Sequence, residues 1–316
     1  MWIKKPLTSI TYDHLNIPAG LLRIAITSKC NMDCVYCHRE GCRENSELPF
    51  HDVIKIIERS MALQTKNVRL TGGEPLLHSE VGKICQEVKN RFPNVKLGIN
   101  TNAVLIDDLL HLVGAGLIDC VVVGIDYYDN HISKKSKRGC SSGEILNNIL
   151  RIKSTGCETN ISTVFTGDTR SVEKLTNWCF ENKIRIKILE IVNDEVADEP
   201  TLEYRHMVEQ IVDKFNLRVM YNIAKKQYSA VSERGGVVNF FHNHCRLREC
   251  DVCTKLFLRV TSNGMTSSCL QPNTPQFSLL DDDAYKDGFL AGLNFLGIPP
   301  EMYTEQLSVA FSKAHD

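Results

Sequence analysis

The sequence predicts an α/β fold on a parallel sheet, and three observations carry that prediction. Between residue 22 and about residue 215, six short β-branched runs alternate with longer segments whose apolar residues recur at helical period. Each helical segment is long enough to cross back over the sheet and restart a strand in the same direction. Glycine and polar residues gather where the runs end, the edge at which such sheets build binding sites. Periodicity alone leaves open whether the sheet stays flat or curls into a partial barrel.

The elements follow in order. Strands are expected at Leu22–Thr27, Val68–Thr71, Val95–Asn100, Cys120–Ile125, Glu158–Phe165 and Ile184–Glu190. The first helix, 50–63, carries an apolar stripe of Val53, Ile54, Ile56, Ile57 and Met61. Further helices are expected at 79–91, 106–115, 142–154 and 170–181, and a sixth, 202–215, follows the last strand. After residue 216 the pattern changes to a short strand, Leu217–Tyr221, a polar stretch, a Cys-dense segment at 245–269 and an apolar stretch, Phe289–Leu296. The chain is therefore divided into residues 1–215, with a core at 22–215, and a C-terminal region, 216–316. There is no repeat and no low-complexity tract. The basic run Lys134-Lys135-Ser136-Lys137-Arg138 reads as a solvated loop.

Composition narrows the class. In 316 residues, 37 Lys and Arg face 38 Asp and Glu, so no bulk charge draws the chain to nucleic acid or anionic lipid. No apolar run approaches the roughly 18 residues of a membrane helix, and Met1-Trp2-Ile3-Lys4-Lys5-Pro6 lacks the apolar stretch of a signal peptide. A cytoplasmic protein is expected, in which 13 cysteines stay reduced and point to metal instead of disulfides.

Cys30, Cys34 and Cys37 directly follow the first strand. Three thiolates so spaced can close on one compact centre. Zinc, with Cys42 as a fourth ligand, is one reading. A four-iron cluster normally takes four cysteines, so three would leave one iron open to a substrate or cofactor.

Here the sequence resembles the radical S-adenosylmethionine (SAM) enzymes, whose signature is C-x3-C-x2-C with an aromatic residue, here Tyr36, before the last Cys. Thr71-Gly72-Gly73-Glu74-Pro75 looks like the family's GGEP motif. Asn100-Thr101-Asn102-Ala103 looks like its threonine-asparagine-glycine turn, and Gly124-Ile125-Asp126 like its serine-leucine-aspartate. Lys187-Ile188-Leu189-Glu190 resembles a motif of the GTP 3',8-cyclases of molybdenum cofactor biosynthesis. The resemblance implies a partial (βα)6 TIM-like barrel and a [4Fe-4S] cluster on Cys30, Cys34 and Cys37 that binds SAM through its open iron. It also implies an electron donor such as flavodoxin or ferredoxin, and a 5'-deoxyadenosyl radical that abstracts substrate hydrogen. Tyr36, Gly73, Gly124 and Val192 fall where the family contacts SAM, with Gly72, Glu74, Pro75, Asn100, Thr101, Asn102 and Asp126 completing the motifs. Gly124 stands in place of a serine, so one side-chain hydrogen bond is missing there.

A second set, Cys250, Cys253 and Cys269, surrounds Thr261-Ser262-Asn263-Gly264, a turn between expected strands Leu256–Thr261 and Met265–Leu270. Zinc with Cys245 as fourth ligand is again one reading. The resemblance to the cyclases favours a second, auxiliary [4Fe-4S] cluster, held by the C-terminal extension over the barrel mouth. The interval between the second and third of these cysteines is longer than in the cyclases, and Phe257-Leu258 looks like an insertion that leaves Lys255 and Arg259 as the nearest cations. Cys245 is additional: a fourth ligand, a hydrogen donor to a substrate radical, or a buried thiol. Arg23 and Arg69 match basic positions of the cyclases and Lys187 replaces an arginine, but Asn160 falls about where they have a lysine. Their Gly-Gly tail is replaced by Lys313-Ala314-His315-Asp316.

The expectation is a paralogue acting on a nucleotide- or sugar-like small molecule, with no nucleic-acid or membrane partner. A genuine GTP 3',8-cyclase, a peptide-modifying radical enzyme (for which the length leaves no room for a leader-binding domain) and a non-catalytic zinc protein are the alternatives. Cys85, Cys120, Cys157 and Cys179 read as core, and Cys42 and Cys140 as loop residues. His38 would shield the first cluster or bond one of its sulfurs, while His242 and His244 lie beside Cys245 without zinc spacing.

Overall fold

A computed structural model describes residues 8–10, 21–34, 36–37, 45–63, 65–129, 140–191, 201–222, 227–241, 257–268 and 274–295. Strand β1 (Thr8–Ile10) precedes six βα units: β2 (Leu21–Thr27) with α1 (Phe50–Ala62), β3 (Asn67–Gly72) with α2 (Val81–Arg91), β4 (Lys96–Thr101) with α3 (Ile106–Gly114), β5 (Cys120–Gly124) with α4 (Ser142–Ser154), β6 (Glu158–Phe165) with α5 (Thr169–Glu181), and β7 (Arg185–Glu190) with α6 (Leu202–Lys214). All six expected strands and six expected helices are present. Strands β2 to β7 lie side by side in chain order, every pair parallel.

The six units do not close on themselves. The C-terminal region supplies β8 (Arg218–Asn222), β9 (Gln227–Val231), β10 (Val237–Phe241), β11 (Phe257–Val260), β12 (Met265–Ser267), β13 (Gln276–Ser278) and α7 (Tyr285–Phe295). Strand β10 pairs parallel to β7 and β11 pairs parallel to β2, so both edges of the six-strand array are taken by later chain. The result is a partial barrel continued at each side within one 13-stranded sheet.

Side-chain alternation sets the two faces. Leu22, Ile24, Ile26, Leu70, Ile99, Val121, Val123, Ile186 and Ile188 are fully buried against the helices, where Val53, Ile56 and Ile57 of α1 and Ile149 and Ile152 of α4 meet them. The alternate positions Arg23, Arg69, Asn100, Ser162 and Lys187 are partly exposed on the opposite face. Helix starts have local causes: Ser141 and Glu144 form a reciprocal capping box on α4, Asp168 accepts from Ser171 N at α5, and Thr201 accepts from Tyr204 N at α6.

The stretch read as merely polar after residue 221 holds the hairpin β9–β10. Its inward residues Tyr228, Ala230, Val238 and Phe240 are buried, but each strand has only five residues, too few for the alternation to stand out. The fully buried Tyr204 pins it: its hydroxyl donates to Ile188 O at 2.9 Å and accepts from Phe241 N at 3.0 Å. The apolar stretch near the C-terminus forms part of α7, and the second expected hairpin is β11–β12.

Candidate functional site

The chain leaving β2 runs against the C-terminal end of β3 just before its first cysteine, and two glycines make that approach possible. Gly73 N donates to Thr27 O and Glu74 N to Lys29 O, each at 2.8 Å. A Cβ at Gly72 would lie 2.0 Å from Thr27 O, and one at Gly73 would lie 2.2 Å from Lys29 O. Gly72 also has φ of 137°, which side chains strongly disfavour. The close approach these glycines permit is to the backbone of the cysteine loop itself.

Glu74 closes the next layer. Its carboxylate is buried, with Oε1 accepting from Thr101 Oγ1 at 2.8 Å and Leu76 N at 3.2 Å, and Oε2 accepting from Asn102 N at 2.8 Å. Burial pushes its carboxyl up from the ordinary range, against the pull of those three hydrogen bonds. Pro75 opens a short 3-10 turn, Pro75–Leu77, behind it. Asn102 reaches from β4 to the cysteine loop, its Nδ2 donating to Asn31 Oδ1 at 2.7 Å. At the end of β5, the buried Asp126 accepts from Val164 N at 2.9 Å and from the Tyr36 hydroxyl. Gly124 sits two residues before it, with space where a side chain would be.

Cys30 and Cys37 are exposed and Cys34 is half-buried. Partial burial raises the Cys30 thiol most, and Glu74, Cys34 and Cys37 raise it further by charge, while Met32 N, 3.4 Å from its sulfur, works in the opposite direction. The three thiols are thus electrostatic neighbours in one loop. Among the described residues no His, Cys, Asp or Glu side chains converge as a group of three around a single ion.

Lower in the barrel, strand register aligns Arg259 of β11, Arg23 of β2 and Arg69 of β3 in one row. Like charges directly opposite repel, so such a row invites anions. Arg69 donates to Asn100 Oδ1 at 3.3 Å, and a Cβ at its register partner Gly98 would lie 2.9 Å from Arg69 Nε. On the far side Lys187 lies 4.2 Å from the centre of the Phe241 ring, in register with Ser162, Asn239 and, through Asn239, Ser229. Asn160 is engaged elsewhere: it accepts from Arg185 Nε at 3.0 Å and donates to Glu158 at 3.1 Å, and Glu158 pairs with Lys96 at 2.5 Å.

Cys245, Cys250, Cys253, Cys269, Lys255 and Val192 lie outside the described residues, as do Cys42, His38, His242, His244 and the basic run at 134–138. The hairpin between Cys253 and Cys269 is described in part, with β11 and β12 lying within the two strands that the sequence predicts. Phe257 aligns with Leu21, and Ser267 with Arg259. Both open ends of the hairpin therefore sit at the N-terminal edge of β2, opposite the edge that carries Cys30 to Cys37. The expected placement of the second cysteine set over the barrel mouth falls on cysteines outside the described residues. Of the cysteines read as core, Cys85, Cys120 and Cys179 are buried. Burial lifts Cys85 to about 12, Cys157 to about 11, and Cys179 further up. The sequence reading missed Asn31, Ser162, Asn239 and Ser229. Asn239 could have been found as the single polar residue inside Val237–Phe241, once that run is taken as a strand.

Comparisons with known proteins agree with this geometry. Residues 24–179 match the family model for the radical SAM superfamily. A probable GTP 3',8-cyclase of Methanothermobacter marburgensis is 27% identical over 305 residues, covering 90% of this chain and 94% of that protein. A GTP 3',8-cyclase of Clostridium acetobutylicum is 22% identical, covering 80% and 81%. In fold, Streptococcus suis SuiB bound to S-adenosylmethionine superposes with a TM-score of 0.65 at 18% identity, over 87% of this chain and 67% of that one. Native anSMEcpe with bound AdoMet gives 0.62 at 16%, over 87% and 82%. No helix among the described residues is long and apolar enough to cross a membrane.

Proposed function

Because the chain belongs to the radical SAM superfamily, whose enzymes use a [4Fe-4S] cluster and SAM, we propose that it removes a hydrogen atom from a small anionic substrate held in the barrel. The single observation that carries the substrate reading is the row Arg259–Arg23–Arg69 beneath the cysteine loop. The donor set fits the implied cofactors. Cys30, Cys34 and Cys37 would ligate three irons, and bound cations would favour the thiolate form of each. When bound, the cluster and SAM supply an electron and the 5'-deoxyadenosyl radical.

The chain's own groups do the positioning. A carboxylate offers about four acceptor sites; with Thr101, Leu76 and Asn102 on three of them, Glu74 keeps one for an N–H of the SAM amino group. Gly72, Gly73 and Pro75 hold Glu74 in place, and Asn100, Gly124, Asp126 and Val192 complete the proposed SAM wall, with Tyr36 tied to Asp126. Arg23 lies four residues before the end of β2, about 13 Å at the usual rise of a strand, so an anion there leaves its remainder free to reach toward Cys30. Lys187 and Arg259 join Arg23 and Arg69 as substrate-binding residues, with Lys255 a further candidate.

The same proposal assigns the region 216–316 an auxiliary [4Fe-4S] cluster on Cys250, Cys253 and Cys269, with Cys245 as its additional thiol. Docking of β11–β12 onto β2 supports a place for it at the opposite barrel edge. Engagement of Asn160 with Arg185 and Glu158 argues against a triphosphate, since the cation that the cyclases carry there is absent. A substrate with fewer charges than GTP is favoured.

Anaerobic reconstitution tests this reading. About eight irons per chain are expected from two four-iron clusters, and Cys30→Ala, Cys34→Ala, Cys37→Ala together should remove half the iron and all SAM cleavage. Stoichiometric zinc without iron in protein kept from air overturns it. In the same assay GTP should not be cyclised efficiently, because a lost charge-assisted contact costs about ten- to a hundred-fold; robust turnover would restore the cyclase reading.

A further inference from the structure

Cys30 is held on both flanks by one polar unit. On its N-terminal side the Lys29 carbonyl accepts from Glu74 N at 2.8 Å. On its C-terminal side Asn31 Oδ1 accepts from Asn102 Nδ2 at 2.7 Å. The two flanks meet again where Asn102 N donates to Glu74 Oε2 at 2.8 Å. The chain of contacts Glu74, Lys29, Cys30, Asn31, Asn102 and back to Glu74 is a closed ring that runs through the backbone of Cys30 and through one buried carboxylate.

The ring is stiff. Asn102 Oδ1 accepts from Val104 N at 3.0 Å, which fixes the amide orientation and commits Nδ2 to Asn31. Ala103, at φ of 57°, holds the turn, and its N–H donates at 3.0 Å to the same Thr101 hydroxyl that donates to Glu74. Asn31 is exposed, so its contact adds little to the core. Its one described side-chain partner is Asn102, across the loop from Cys30. A contact in that position bears on the direction of the cysteine more than on folding.

We propose that Asn31 and Asn102 are positioning residues that couple Glu74 to Cys30, so that the amino group of SAM at Glu74 and the cluster held by Cys30 are set in register with each other. This rests on the assignment of Cys30, Cys34 and Cys37 as cluster ligands and of Glu74 as the acceptor for the SAM amino group. The coupling requires only that Asn102 bridge from the carboxylate to the loop. It predicts that breaking the bridge at either end costs the same, because each break opens the same ring.

The test uses reconstituted full-length protein and its variants Asn31→Ala, Asn102→Ser and the double variant. Serine keeps an oxygen for Val104 N but does not reach Asn31, and Asn31→Ala removes an exposed side chain, so one variant remains informative if the other folds poorly. SAM is titrated against the EPR signal of the dithionite-reduced cluster, and iron release to a chelator is followed with and without SAM. Each single variant is expected to keep its iron, to bind SAM about three- to ten-fold more weakly, as loss of one hydrogen bond implies, and to lose SAM's protection against chelation. The double variant should match the worse single one. Single variants that titrate like the wild type, or losses that multiply in the double, overturn the coupling while leaving the cofactor reading intact. A wild-type protein with no SAM-sensitive signal overturns both.

Discussion

The Tyr36 hydroxyl donates to the Asp126 carboxylate, joining the cysteine loop after β2 to the end of β5, three strands away. Asp126 is buried and its other oxygen accepts from Val164 N at 2.9 Å, so the phenol adds a hydrogen bond to it from the loop side. Tyr36→Phe should destabilise the folded protein by about 1.5 kcal/mol, the lower end for a hydrogen bond to a charged group, given that Tyr36 is partly exposed. Asp126→Asn, which retains an acceptor for Val164 N, should cost less. Urea unfolding of both variants without iron checks the order, and equal costs would count against the hydrogen bond as the cause.

Gly72→Ala tests the seat of the loop. Its Cβ would meet Thr27 O at 2.0 Å in a conformation that alanine resists. A loss of at least about 2 kcal/mol is expected from strain and displacement together. Iron uptake should fall as well, because the displaced backbone is the one that carries Cys30. Thermal unfolding with iron analysis on the same samples separates the two effects.

Glu47 gives the loop a pH dependence. Burial would raise its carboxyl, but hydrogen bonds from Ser79 and from Lys29, 2.9 Å away, outweigh that and hold it at about 2. A carboxyl depressed on folding contributes stability above its unfolded value, near 4.3, and that contribution is lost as pH falls toward about 2. Stability of the wild type should therefore decline over this window more steeply than that of Glu47→Gln. Parallel slopes in acid-unfolding curves would show that the Ser79 and Lys29 contacts do not stabilise the fold.

Cys245 separates two kinds of auxiliary site. If it ligates, Cys245→Ala should alter the auxiliary cluster's EPR spectrum and make the cluster easier to lose on reduction. An unchanged spectrum and iron count, with SAM still cleaved but product formation stopped, would assign it as a hydrogen donor. An unchanged spectrum with unchanged turnover would leave it a packing residue.

The sequence by itself determined the six βα units, because each strand and helix is long enough for its own period to show. It also determined the motif positions, since Gly72-Gly73-Glu74, Asn100-Thr101-Asn102 and Gly124-Ile125-Asp126 each fall where a strand ends, and strand ends are readable locally. Tertiary structure decided what those residues touch. Glu74 meets Asn102, Asn102 meets Asn31 and Tyr36 meets Asp126 across intervals of 28, 71 and 90 residues, and no local pattern encodes a pairing over such distances. It also decided the two barrel edges. Val237–Phe241 could have paired with any exposed strand; it lies parallel to β7, where the Tyr204 hydroxyl bonds both Ile188 and Phe241. Likewise the parallel run of β11 on β2, a matter of backbone pairing and not of residue type, set the open ends of the β11–β12 hairpin at the N-terminal edge of β2.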